Sequence, residues 1–315
     1  MKKFQLPKLR RLKLRLSTIN YKKLALRMSV LAVVLVVGAG YIAYTRLYLT
    51  KERRFWQAIQ NSMSTQSFVR EVTSGGTGNR TVEKTRLNFG AEASIDKISS
   101  VSAKSATSES NVTTRSIMTP SAQYISYSNI FTTEKKASGE PFNFDSVNGI
   151  WAVQAQGKTP QELDQLKLEY VQQQVSIVPF GNLNAATRRT IINELKQSDV
   201  YEIDYTNIVK QEVEGKTYMA YPVRVKLRQY VAILQKHFDA MGFGMFPSLD
   251  PSQYAEKSRY NATLLLDLNS STLRGISSSN QSEIYTNYGV IQKAPIPAKT
   301  VSLEELQSKL QSLQQ

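Results

Sequence analysis

The longest uninterrupted apolar pattern in the chain runs from Met28 to Thr45, eighteen residues without a charge, directly behind 27 residues that hold ten Lys or Arg and no acid. At about 1.5 Å per residue the run covers roughly 27 Å, close to the roughly 30 Å hydrocarbon thickness of a bilayer. Arg46 can snorkel, and Leu47 to Leu49 lengthen the span. The pattern predicts a membrane-crossing helix over 28–49, anchored by Met28, Leu31, Val34 and Leu35, with Tyr41 and Tyr44 in the outer aromatic belt. The Lys/Arg excess keeps the N-terminus in the cytoplasm and exports the C-terminal remainder of the chain, giving a single-pass protein of the cell membrane. Three other readings compete. Gly38-Ala39-Gly40 would suit a signal peptidase, but the basic region is long and apolar residues continue to Leu49. Gly38-x-Gly40-x-x-Ala43 imitates a dinucleotide fingerprint without the βαβ setting that gives the fingerprint its meaning. A buried core helix would rarely come after so basic a tail.

Beyond Thr50 the period changes repeatedly. A helix over about 50–64 puts Phe55, Ile59 and Met63 on one stripe beside Trp56. Phe68, Val69 and Val72 lead into a turn at 74–79, and the loose alternation of 82–89 completes a hairpin. Short extended pieces come next at 95–101, 111–118 and 123–128 in a Ser/Thr-rich stretch, with 102–110 read as a turn or loose loop. Thr159-Pro160-Gln161-Glu162 is a capping box that opens a helix to about 174, and Asn184 opens another to about 197, together a lid or inserted helical pair. Strand patterns cover 200–209, 216–227, 261–269, 272–278 and 283–290. A last capping box at Ser302 to Glu305 starts a helix striped with Leu303, Leu306, Leu310 and Leu313. The fold class is therefore α+β, arranged as a basic tail over 1–27, a span over 28–49 and an extracytoplasmic domain over 50–315.

Charge and composition narrow the partners. The net charge of +15 is concentrated in the tail: from Lys51 onward 29 basic residues face 25 acidic ones. The tail therefore reads as a topology signal that touches anionic lipid, at about 1 kcal/mol per basic residue near the surface. It carries few aromatics for base stacking, so nucleic acid is not an expected partner. The absence of cysteine removes disulfides, thiolate metal sites and a lipid-modified N-terminal Cys. His237 stands alone on a helical stripe with Tyr230, Ile233, Leu234 and Met241, the place of a packed residue rather than a catalyst. Asp199, Glu202, Asp204, Glu212, Glu214 and Asp250 sit at strand ends, turns and loops. Asp267 alternates with Leu266 and Leu268 and should face away from the core. No nucleophile elbow, metal-ligand spacing or phosphate-cradling loop appears, so neither enzyme nor cofactor is expected. Five Asn-x-Ser/Thr triplets are no more than such a composition gives by chance.

Element order then offers a resemblance. Phe55-Trp56-x-x-Ile59 on a leading helix, the strand 218–227 running into a helix, 263–268 followed by Ser271 to Ile276, and Glu283 to Gly289 ahead of a Pro-flanked final helix resemble the LolA/LppX lipoprotein-carrier superfamily. The resemblance implies a strongly curved antiparallel sheet, an unclosed barrel, wrapped over helices around an apolar cavity for acyl chains. The chain departs from that family in lacking a lipobox Cys, and an uncleaved span would forbid a freely diffusing shuttle. Met241-Gly-Phe-Gly-Met-Phe-Pro247 bears most directly on function: Met241, Phe243, Met245 and Phe246 are soft apolar surface between bend-permitting glycines, a candidate gate to a ligand or a plug of the sheet end. Two functions are expected on these grounds. One is a membrane-anchored binding protein holding a lipid or acyl chain near the bilayer. The other is an assembly component of an envelope machine, a conjugation or secretion scaffold with envelope protein partners.

Overall fold

The computed structural model describes residues 21–43, 50–76, 78–90, 93–213, 215–244, 249–279 and 281–314. The chain divides into two compact units, 1–50 and 51–315. In the first, helix α1 (Tyr21–Ala43) includes part of the basic segment ahead of Met28. Leu31, Val34, Leu35 and Tyr41 on it are exposed. The Met28 side chain, Tyr44 and the remainder of the expected span lie outside the described residues. Among the described residues no helix is long and apolar enough to cross a membrane.

The second unit is built on one antiparallel sheet. Its strands are β1 (Ser67–Gly75), β2 (Asn79–Asn88), β3 (Ser94–Lys104), β4 (Glu109–Thr119), β5 (Ala122–Thr132), β6 (Trp151–Gln156), β7 (Tyr201–Ile203), β8 (Val209–Val213), β9 (Lys216–Lys226), β10 (Arg259–Asp267), β11 (Leu273–Ser277), β12 (Gln281–Thr286) and β13 (Val301–Ser302). The spatial order is β13-β6-β5-β4-β3-β2-β1-β12-β11-β10-β9-β7, with β8 beside β9 and β13 the one parallel neighbour. The sheet is curved, and its two ends do not meet. Helices α2 (Lys51–Ser62), α3 (Pro160–Gln172), α4 (Ala185–Gln197), α5 (Leu227–Ala240) and α6 (Leu303–Gln314) complete the unit.

One face of the sheet is apolar because strand period two puts matched residues in line: Phe68, Leu87, Ile95 and Met118 stand opposite one another across β1 to β4. Phe55 and Ile59 of α2, Leu195 of α4 and Leu234 and Phe238 of α5 close over this face with Leu264, Leu266 and Ile276. A smaller core joins Phe144, Val147 and Ala152 to Leu306 of α6.

The segment between α3 and α4 is neither helix nor strand. It runs through the main core, with Val178 fully buried and the Phe180 ring 4.4 Å from Phe68 and 4.9 Å from Tyr285. An irregular buried segment must find partners for its backbone, since an orphaned polar group in the interior costs about as much as a lost hydrogen bond. Tyr230 donates its hydroxyl to the Ser176 carbonyl, Tyr201 to that of Ile177 at 2.7 Å, and His237 donates from Nε2 to that of Phe180 at 2.9 Å. The amides of Gly181 and Leu183 donate to the carbonyls of Ser62 and Met63 at the end of α2, at 3.2 and 2.9 Å.

The opposite face carries a half-buried ion pair in which Asp96 alone is buried. Arg115 holds Asp96 through two hydrogen bonds of 2.9 Å, with Arg86 at 3.6 Å, and the Arg115 guanidinium lies over Trp151. Residues 287–300 link β12 to β13 at the far edge, seven strand spacings away, roughly 34 Å at about 4.8 Å each. Fourteen extended residues reach about 46 Å, so the link can cross as a strap. Asn88 marks its course by donating to the Gln292 carbonyl at 2.9 Å.

Several expectations need correction. Strands β3 and β4 extend through most of 102–110, leaving only a Ser105 to Ser108 turn, because Ser100, Ser102, Asn111 and Thr113 bond one another across the strands. The pattern over 200–209 breaks at Asp204, whose carboxylate accepts from the amides of Thr206 and Asn207 and so turns the chain between β7 and β8. Strand β6 was not expected at all. Asp267, as expected, faces away from Leu266, and it caps its own turn by accepting from the amides of Asn269 and Ser270.

The first test concerns α2. Ile59 is fully buried, so Ile59→Asp should abolish the cooperative thermal transition of the full chain, an unpaired buried charge costing several kcal/mol against a total of about 5 to 15. An unchanged melting temperature by circular dichroism would show that α2 does not hold the sheet.

Candidate functional site: an apolar recess at the end of helix α5

Helix α5 ends in a Schellman motif. The Phe243 amide donates to the Phe238 carbonyl at 3.0 Å and the Gly242 amide to that of Asp239 at 2.9 Å. The motif needs a left-handed residue, and Gly242 supplies it at φ +84° without a Cβ penalty. It fixes where Met241 and Phe243 go. Met241 lies so close to Gly181 that a Cβ there would stand 2.8 Å from its sulfur. The Phe243 ring lies 5.4 Å from that of Tyr170, whose hydroxyl is held by the Asn88 carbonyl at 3.0 Å.

Together these residues wall a recess of about 160 Å³ with Phe89, Leu183 and the single amide side chain of Asn182. That volume is similar to an apolar cavity that holds benzene and below the range of about 300 to 1,000 Å³ usual for drug-sized ligands. Phe89 of the wall packs on Phe68, which meets Phe180 and Tyr285 in the main core. Of the four residues expected at a gate, Met241 and Phe243 are thus side by side in one wall, both half-buried against the core, while Met245 and Phe246 lie outside the described residues. Phe89, Tyr170, Asn182 and Leu183 were missed. Tyr170 had a signal, the stripe it makes with Leu166 on α3 at a spacing of four, whereas nothing local marks Phe89 or Asn182.

A larger cleft of about 1270 Å³ lies at the β7 end of the sheet, lined by charged groups already bonded within the protein. Glu202 pairs with Arg224 at 3.2 Å and Arg259 at 3.3 Å, and Asp199 with Lys226 at 2.6 Å. Hydrogen bonds from the side chains of Thr206 and Asn207 hold the Asp204 carboxyl down at about 2. A carboxyl held so low is a fixed acceptor at Asp204, poorly placed to exchange protons near neutral pH. Among the described residues no cluster of three or more His, Asp or Glu could hold a metal ion.

No protein-family model matches the chain, and comparison with curated proteins gives no match. Among solved structures the chain is similar to the crystal structure of LprF from Mycobacterium bovis, at 12% identity over 79% of this chain and 99% of that one, with a TM-score of 0.38. So loose a likeness carries no argument for fold or function, and both rest on the geometry of the chain itself.

His237 supports the recess from below, and its titration provides a second test. Burial pushes its pKa down from 6.5 to about 4, against a smaller opposing effect of the Phe180 carbonyl. Between those values the unfolded chain binds a proton that the folded chain refuses, so stability rises with pH across the window and is lost as pH falls from 6.5 toward 4. Each unit corresponds to about 1.4 kcal/mol, and His237→Gln keeps a donor for Phe180 but does not titrate. From pH 6.5 to 5 the native chain should lose about 2 kcal/mol more than the variant in urea unfolding; parallel profiles would mean that His237 is protonated in the folded state.

Proposed function

We propose that this chain is a membrane-tethered binding module that takes an apolar group, the end of an acyl chain or a comparable part of a lipid, into the recess walled by Phe89, Tyr170, Leu183, Met241 and Phe243. The observation that carries this reading is the recess itself: apolar walls, one polar amide, and a rim in which Met241 and Phe243 lie next to glycines. Burying apolar surface is worth about 25 cal/mol per Å², so a pocket of this size gives modest affinity and suits one chain end rather than a whole lipid. The ligand would be a lipid because the tether keeps the unit beside a bilayer. Support for the tether is the uncharged run 28–45 behind the basic tail, together with the exposed apolar residues Val30 to Val37 on α1, which a hydrocarbon phase would cover. No cofactor enters this reading.

A second reading, an assembly component of an envelope machine, is favoured by one observation. Among the described residues, side chains of the 174–183 segment pack with the sheet and helices in the main core, as they would in a scaffold.

The two readings part on what the protein carries. Full-length chain purified in mild detergent should retain lipid detectable by mass spectrometry, and Ala240→Phe, at the recess wall, should lower that retention severalfold without lowering the melting temperature. Lipid content that is nil, or that the filled recess leaves unchanged, would leave the scaffold reading standing.

A further inference from the structure

Strand β8 ends the sheet on one side, and its five residues, Val209-Lys210-Gln211-Glu212-Val213, are their own charge complement about Gln211. Among the described residues β8 pairs with β9 alone. Val209 to Glu212 are all exposed, Val209 at 59%. An open edge of this kind presents a row of amides and carbonyls to which another strand can add.

We propose that β8 pairs antiparallel with β8 of a second copy of this chain, about a twofold axis through Gln211, joining two sheets into one. The backbone phase suits it. Val213 pairs with Lys216 across a two-residue connection, whose closing pair exchanges both hydrogen bonds, and bonded pairs recur at Gln211 with Tyr218 and Val209 with Ala220. The amides and carbonyls of Lys210 and Glu212 are therefore the ones aimed away from β9. In the twofold register each Lys210 stands opposite a Glu212 and bonds it through both backbone groups, twice over, with Gln211 as the non-bonded central pair. Opposite charges directly across an antiparallel pair stabilise it, and like charges oppose it. A slip of two residues either way sets Lys210 against Lys210 or Glu212 against Glu212, so the charges select one register.

The exposed Val209 also gains a reason. On one face of β8 it shares the side of Val213, which packs on Tyr218, Ala220 and Leu265. In the dimer Val209 lies opposite the Val213 of the other copy and extends that apolar strip across the junction. A twofold contact is self-complementary by construction and closes at two chains. Pairing through β8 is independent of the ligand reading and would stand if the recess proved empty.

The absence of native cysteine makes a direct test possible in the full-length chain. The Cα atoms of a non-bonded antiparallel pair lie about 4.5 Å apart, within the reach of a disulfide. Two Val209 residues would stand four positions out of register, roughly 14 Å apart, and could not bridge. Under mild oxidation Gln211→Cys should form a cross-linked dimer at least about tenfold faster than Val209→Cys. Adding Lys210→Glu should slow the Gln211→Cys cross-link about tenfold by opposing like charges, and adding Glu212→Lys as well should restore it. Equal rates at 209 and 211, or a rate at 211 that ignores the Lys210→Glu change, would overturn the proposal.

Discussion

The carbonyl groups of Ser176, Ile177 and Phe180 belong to a segment that is neither helix nor strand and that enters the main core, and each is met by a side chain from another element. That constraint governs much of the second unit. Two tyrosines and the single histidine must sit at fixed depths. Burial pushes the pKa of both phenols up and that of the imidazole down, so all three remain neutral donors at ordinary pH. With its backbone satisfied, the segment can carry Val178 and Phe180 into space that a curved sheet would otherwise leave hollow. The same arrangement brings Gly181 against Met241 and so determines how shallow the recess is.

The second unit's helices and most of its strands were legible because their signals are local. The box at Thr159 and Glu162 is present in full, Asn184 accepts from the Thr187 amide, and Ser302 caps α6 through the Glu305 amide. The Phe55 and Ile59 stripe is buried as its spacing required. Failures occurred where a residue's partner is distant in sequence. Ser/Thr-rich 102–110 reads as loop until Asn111 is seen bonding Ser100 and Ser102, and β6 depends on pairing with β5 and β13. The internal segment has no period of its own, and its tyrosine donors are 24 and 54 residues away. The recess was half legible for the same reason: Met241 and Phe243 advertise themselves through adjacent glycines, while Phe89 and Leu183 arrive from other elements.

Function rests on the features that the filled sheet leaves over. Among the described residues two surface features carry the readings above: a small apolar recess at one helix end and an open strand at one sheet edge. On the proposed readings the first would take a chain end of a lipid and the second another copy of the protein.

The shallow recess and the filled sheet both depend on the 174–183 segment being part of the core rather than a loop that leaves it. Residue-resolved amide hydrogen exchange reports this directly, because the Gly181 and Leu183 amides donate to the end of α2 and exchange only when that region opens. Both should be protected to the level of the Leu264 amide in central strand β10. Exchange as fast as in the exposed Ser105 to Ser108 turn would contradict a filled interior, and would mean that the sheet encloses a space the segment only visits.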